Sequence, residues 1–199
     1  MKTGVFGGTF DPVHYGHIEL ARQAVNECGL DKLIVMPANE QPFKLSRKLT
    51  SGEHRYNMLK LAFGREVKIS ISDIELAKGD ISYTIETLRE IKRLHEDAEI
   101  SFIVGIDAFL KVEMWKGADE LLEGYSFIIG TRPGYMESEL DELMSRLRES
   151  HGTKVTKINN GQIPVSSTEI KERIKSDKDC GEALPPEVER YIVVNGLYS

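Results

Sequence analysis

Gly7-Gly8-Thr9-Phe10-Asp11-Pro12-Val13-His14-Tyr15-Gly16-His17 puts a glycine turn, a carboxylate, a proline and two histidines into eleven positions. Thr3 to Phe6, just before it, reads as a short buried strand. The residues after it read as an amphipathic helix with Ile18, Ala21, Ala24, Val25 and Cys28 on one face. Strand, glycine turn, helix is the order that a phosphate site requires. Glycine lets the backbone approach a ligand closely, and the free N–H groups and dipole at the helix N-terminus favour an anion there. His14 and His17 stand at i and i+3, so they project from about the same face of the first helical turn. Zinc ligation by the pair would need two further ligands, and neither cysteine is near in sequence. As donors to phosphate oxygens the two imidazoles need no such partners.

Outward from this loop, apolar runs alternate with helical patterns, the signature of a sheet with crossover helices. The expected fold is α/β, a Rossmann-like open and mostly parallel sheet with helices on both faces. Leu33 to Met36 reads as the second strand, stopped by Pro37, and Thr50 with Glu53 forms a capping-box pattern opening a helix through Met58, Leu59, Leu61 and Ala62. Further strands are expected at Val67 to Ile71, Ile100 to Val104 and Tyr125 to Ile129. Helices are expected at Thr84 to Leu94, around Leu140 to Leu147, and from Glu187 to Val194. The strands at 100–104 and 125–129 run into Gly105-Ile106-Asp107 and Gly130-Thr131-Arg132-Pro133-Gly134. Ligands bind beyond the carboxyl ends of strands in open α/β sheets, so these loops should share a crevice with the first. The loop from Pro37 to Thr50, carrying Lys44, Arg47 and Lys48, is long.

A second anion-binding segment is Val165-Ser166-Ser167-Thr168-Glu169-Ile170-Lys171-Glu172-Arg173-Ile174. Ser166 and Glu169 form a capping box, so a helix opens here with free N–H groups beside three hydroxyls. Alone this is also how a well-capped amphipathic helix reads; paired with the histidine loop, it supplies the second set of donors that a triphosphate needs. No Gly-Lys-Ser/Thr loop, no G-x-G-x-x-G after the first strand and no nucleophile elbow occurs, which argues against an ordinary ATPase, dehydrogenase or serine hydrolase.

Composition bounds the rest. The 199 residues, 40% hydrophobic and 29% charged, suit one α/β domain over residues 1–199. A formal charge of −6 argues against a nucleic-acid polymer or an anionic membrane as partner. Cys28 and Cys180 lie far apart without a C-x-x-C pattern, no leader or membrane span is evident, and a cytoplasmic protein is expected. The quaternary state stays open, a homo-oligomer being compatible with the pattern.

GGTFDPVHYGH, VSSTEIKERI and the intervening GID together resemble the bacterial nicotinate-mononucleotide adenylyltransferases, of the nucleotidyltransferase superfamily with its H-x-G-H signature. The likeness runs from Gly7 to the Tyr191–Tyr198 ending, and Ser82-Tyr83-Thr84 and Trp115 favour the nicotinate branch. It implies transfer of AMP from ATP to nicotinate mononucleotide, giving deamido-NAD and pyrophosphate, by direct in-line attack with Mg²⁺ held by the phosphates and no protein metal ligand. The implied catalytic residues are His14, His17 and Lys44. ATP would be met by Gly8, Thr9, Phe10, His14, His17, Ser167, Thr168 and Lys171, with Asp107 on a ribose hydroxyl. Thr84 and Trp115 would hold the nicotinate ring, and Arg132 would serve the acidic substrate or pair with a surface carboxylate. Arg55 reads as a helix-surface or loop-anchoring residue. The chain departs from the family pattern twice: Lys171 stands where the second motif usually has arginine, and Gln41-Pro42-Phe43-Lys44 where Pro-Pro-His-Lys is usual. Nicotinamide mononucleotide, phosphopantetheine, or nucleotide binding without turnover are the competing readings.

Overall fold

The computed structural model describes residues 1–39, 49–79, 81–131, 135–159 and 165–199. Its elements in chain order are β1 (Lys2–Gly8), α1 (Tyr15–Glu27), β2 (Lys32–Pro37), α2 (Gly52–Phe63), β3 (Ile69–Ile71), α3 (Ile74–Lys78) and α4 (Thr84–Leu94). They continue with β4 (Glu99–Gly105), α5 (Ile106–Phe109), α6 (Ala118–Gly124), β5 (Ser126–Thr131), α7 (Glu137–His151), β6 (Val155–Asn159), α8 (Ser167–Lys175) and α9 (Pro186–Val194). Among the described residues six strands form one sheet in the order β3-β2-β1-β4-β5-β6, and every pairing is parallel. Parallel neighbours cannot be joined by tight hairpins, so each connection crosses over the sheet, which is what the alternation of strand and helix patterns demands. β1 lies at the centre, with Phe6 opposite Val35 of β2 on one side and Ile103 of β4 on the other. The strand order reverses between β1 and β4, the switch point beyond whose carboxyl ends ligands bind in open sheets of this kind.

The period of two along each strand divides the core into two layers. On β4, Ile103 joins a cluster with Phe6, Val35 and Ile128, covered by α1, α2, α8 and α9 through Ile18, Leu59, Ile170 and Ile192. Its neighbours Phe102 and Val104 face the opposite layer, with Val5, Ile34 and Ile129 under Leu88 of α4, Leu121 of α6 and Leu143 of α7. Helices therefore lie on both faces. On α1, Ile18, Ala21, Ala24 and Val25 are buried as their spacing requires, and Cys28 caps the helix end, half-buried. Leu20 is buried too, because a β-carbon on Gly130 would come within 2.9 Å of its side chain; the bare glycine lets α1 lie close on β5. Both cysteines are free thiols.

Several expectations shift. The cap of α2 is Ser51, whose hydroxyl accepts from His54 N at 3.3 Å, rather than Thr50, whose carbonyl is taken by Arg55. Pro37 does stop β2, as its last residue and opposite Gly8, where the missing donor is tolerated. Val67 is fully exposed, because turns at Glu66 and Ile69 carry the chain around before β3 begins. β6, α3, α5 and α6 were not foreseen; of β6 only Ile158 is buried, so it carries little apolar signal. Among the described residues no helix is long and apolar enough to cross a membrane.

Ile103 has no exposed surface, so Ile103→Ala should cost about 2–5 kcal/mol. Urea unfolding reads this as a lower midpoint at unchanged slope; a midpoint indistinguishable from that of the parent would refute the central place of β4.

Candidate active site

The loop leaving β1 is shaped by a collision that only glycine avoids. The Phe10 ring folds back over Gly8, so a β-carbon there would lie 2.9 Å from the ring. Phe10 is 1% exposed and has a backbone φ of 48°, a conformation that costs a non-glycine residue energy and is held here by packing. The ring meets Phe6 edge-on at 5.2 Å and His17 edge-on at 5.0 Å. His17 in turn stacks on His14, with centroids 3.7 Å apart and planes 26° from parallel. Two imidazoles are thereby fixed as one unit at the mouth of the sheet. His14 is the N-cap residue of α1, its carbonyl accepting from His17 N at 2.9 Å and Ile18 N at 3.2 Å.

The second segment arrives at the same place. Ser166 caps α8, its hydroxyl accepting from Glu169 N at 3.1 Å, and Ser167 Oγ donates to Pro12 O at 2.9 Å. That bond ties the N-terminus of α8 to the loop that precedes α1. Thr168 is exposed beside it. The Glu169 carboxylate does not return to the cap as a full capping box requires; it pairs with Arg173 at 2.6 Å. Lys171 Nζ lies 3.0 Å from Asp11 Oδ2, and Tyr198 OH donates to Asp11 Oδ1 at 2.7 Å. Burial opposes charge on Asp11, but hydrogen bonding from Tyr198, Lys171 and Thr50, with the Lys171 charge, more than offsets it and holds the carboxyl below the usual range. Burial, with Asp11 beside it, pushes the Tyr198 phenol far up.

Arg55 corrects the surface part of its reading and bears out the anchoring part. At 1% exposure it donates to the carbonyls of Thr9 at 2.9 Å, Ala38 at 2.6 Å and Thr50 at 3.0 Å. One guanidinium thus binds the β1–α1 loop, the end of β2 and the start of α2. Burial lowers its pKa, opposed by the charge of Asp11. The signal was available: Arg55 stands three and four residues before the buried Met58 and Leu59, on the inward face of α2.

The candidate acceptor residues gather at the same edge of the sheet but on its other face. Thr84 opens α4, and Trp115 meets Phe102 edge-on at 6.0 Å. They are brought together by Lys116, which lies 4.2 Å over the Tyr83 ring and pairs with Glu86 at 2.7 Å, and by Gly117 against Ile85. Ser82 Oγ accepts from Asn39 N at 3.0 Å, linking this segment to the end of β2. Beneath it Glu75 is buried on α3, which raises its pKa against the hydrogen bond it accepts from Thr87 at 2.7 Å. Asp107, exposed at the start of α5, accepts from Tyr135 OH at 2.7 Å through one carboxylate oxygen. Lys44 and Arg132 lie outside the described residues. Among those described, no group of three or more His, Cys, Asp or Glu side chains could hold a metal ion.

The strand order and its switch point between β1 and β4 are those of the doubly wound nucleotide-binding class. The family model for cytidylyltransferase-like proteins matches residues 5–173. A protein of Thermoanaerobacter sp. (strain X514) named "Probable nicotinate-nucleotide adenylyltransferase" is 39% identical over 199 residues, covering 100% of this chain and 94% of its own; one of the same name from Clostridium tetani is 34% identical over 197 residues, covering 99% and 98%. The chain belongs to the cytidylyltransferase-like family, and within it to the nicotinate-nucleotide adenylyltransferases. The solved Plasmodium falciparum nicotinic acid mononucleotide adenylyltransferase complexed with NaAD has the same fold, with a TM-score of 0.80 at 23% identity over 99% of this chain and 97% of that one.

Because the folded pKa of Asp11 lies below its unfolded value near 4, its ionised form stabilises the fold above that value and the contribution drains as pH falls through the folded pKa. The stability gap between the parent and Asp11→Asn should therefore be wider at pH 7 than at pH 3 by urea unfolding. An equal gap at both would refute the paired state of Asp11.

Proposed function

We propose that the chain transfers AMP from ATP to nicotinate mononucleotide. An oxygen of the mononucleotide phosphate attacks the α-phosphorus of ATP in line. The bond from that phosphorus to the α–β bridging oxygen breaks, and pyrophosphate leaves with the electron pair, giving deamido-NAD. No covalent enzyme intermediate is needed. Such a reaction asks the protein chiefly for position and for stabilisation of developing charge. The observation that carries this reading is the Ser167–Pro12 bond, which joins the N-termini of α1 and α8 beside the stacked histidines.

In this reading Gly8, Thr9 and Phe10 line the nucleotide loop, and His14 and His17 donate to phosphate oxygens. Ser167, Thr168 and the free N–H groups of α8 receive the triphosphate, with Lys171 and Lys44 as cations. Asp107 keeps its second carboxylate oxygen for a ribose hydroxyl. Trp115 offers its face to the nicotinate ring and Thr84 its backbone N–H, at the open first turn of α4. Arg132 serves the acidic acceptor. Mg²⁺ would enter with ATP, held by phosphate oxygens and water, and would neutralise part of the triphosphate charge. A cytoplasmic location goes with these substrates and with two free thiols.

Pyrophosphate release with ATP and Mg²⁺ should be fast with nicotinate mononucleotide and slow with nicotinamide mononucleotide or phosphopantetheine. Release with none of them would overturn the enzyme reading, and preference for another acceptor would reassign it. His17→Ala should lower kcat by about 10²–10³ with the fold intact by circular dichroism; near-normal turnover would remove His17 from the chemistry.

A further inference from the structure

The side chains of Asp11, Tyr198 and Lys171 come from three distant parts of the chain and touch one another pairwise. Tyr198 OH donates to Asp11 Oδ1 at 2.7 Å, Lys171 Nζ donates to Asp11 Oδ2 at 3.0 Å, and the Lys171 ammonium lies 5.8 Å from the centre of the Tyr198 ring. Asp11 is 3% exposed, whereas the Lys171 side chain keeps 33% of its surface. The carboxylate is sealed and the ammonium is not. An ammonium has three donors, so the contact with Asp11 leaves two for an incoming anion. Tyr198 also holds a left-handed backbone, φ 67°, which a bulky residue adopts only where its surroundings compel it.

Lysine at this position has a cost that arginine does not. A guanidinium presents a rigid planar fork, whereas an ammonium swings on a four-carbon stem and lacks that fixed bidentate geometry. A second group that fixes the ammonium before the ligand arrives removes much of that cost. The neighbouring cation on α8 offers no rival anchor. Arg173 is engaged with Glu169 at 2.6 Å, and it projects from a different face of α8.

We infer that Tyr198 and Asp11 are positioning residues that hold the Lys171 ammonium ready for the ATP phosphates, so that the segment following α9 is part of the nucleotide site. Tyr198 locks the Asp11 carboxylate by hydrogen bond, Asp11 fixes Nζ, and the Tyr198 ring flanks the cation. Neither Asp11 nor Tyr198 need touch the nucleotide. This rests on the placement of the triphosphate in the proposed function.

The test is a double-mutant cycle of Tyr198→Phe and Lys171→Met in the full chain. It is read by calorimetric binding of a non-hydrolysable α,β-methylene ATP with Mg²⁺, and by KM and kcat for ATP and for nicotinate mononucleotide. Tyr198→Phe should weaken analogue binding and raise KM for ATP about tenfold, as loss of a hydrogen bond to a charged group does. KM for nicotinate mononucleotide should move less than about twofold by the same arithmetic. In the Lys171→Met background, Tyr198→Phe should have no further effect on ATP. A full additional loss in that background means that Tyr198 acts through the fold and overturns the inference, as does unchanged analogue binding in Tyr198→Phe. If Tyr198→Phe proves too unstable to assay, Asp11→Asn replaces it in the same cycle, with the same two outcomes. Analogue binding by the parent chain without turnover would count against the transfer reaction alone; failure of the parent to bind the analogue would remove the triphosphate site and this inference with it.

Discussion

The Phe10 ring rests over Gly8 because the residue beneath it has no side chain, and the rest of the site is stacked on that contact. Phe10 is pinned from below by Phe6 of the central strand and itself supports His17, which supports His14. The orientation of both imidazoles thus descends by ring contacts from β1, which both core layers bury. A strained backbone at Phe10 is tolerated because packing on every side determines it. Arg55 completes the arrangement by taking the Thr9 carbonyl, which leaves the loop held by ring packing on one side and by a guanidinium on the other.

The second half of the site is built over a much longer span of chain. The Ser167–Pro12 and Lys171–Asp11 contacts join residues 155 and 160 positions apart. Tyr198 adds a third strand of chain at 187 positions from Asp11. Closures of this kind hold two helix N-termini and a cation in fixed positions, so the ordering of these groups would not weaken the proposed binding of a phosphate. The residues proposed for the acceptor are organised separately, around Glu75, Ser82 and the Lys116–Tyr83 contact, on the opposite face of the sheet.

How far this was legible in the sequence follows the range of the interactions. Local signals read well: Thr84–Leu94 matches α4 at both ends, and the Ser166 cap is where its spacing put it. The cap of α2 moved by one residue because Thr50 and Ser51 are both competent and the geometry of the entering chain chose between them. β6 escaped notice because an edge strand with one buried side chain has no alternation to see. For Arg55 the spacing to Met58 and Leu59 marks the inward face of α2, but the carbonyls that satisfy its charge come from distant segments and leave no local trace. Asp11 and Tyr198 each stand in a recognisable motif, but no local pattern announces a carboxylate that will meet a phenol from the far end of the sequence. The H-x-G-H loop carried most of the functional reading, because its chemistry is compressed into one turn.

The central claim is that the stacked histidines and the N-terminus of α8 form one triphosphate site. A crystal structure of the full chain with Mg²⁺ and α,β-methylene ATP tests it most directly. The account predicts phosphate oxygens within hydrogen-bond distance of His14 or His17 on one side and of the Ser167 or Thr168 N–H groups on the other. A triphosphate bound away from either element, with the crevice between β1 and β4 left to solvent, would contradict it.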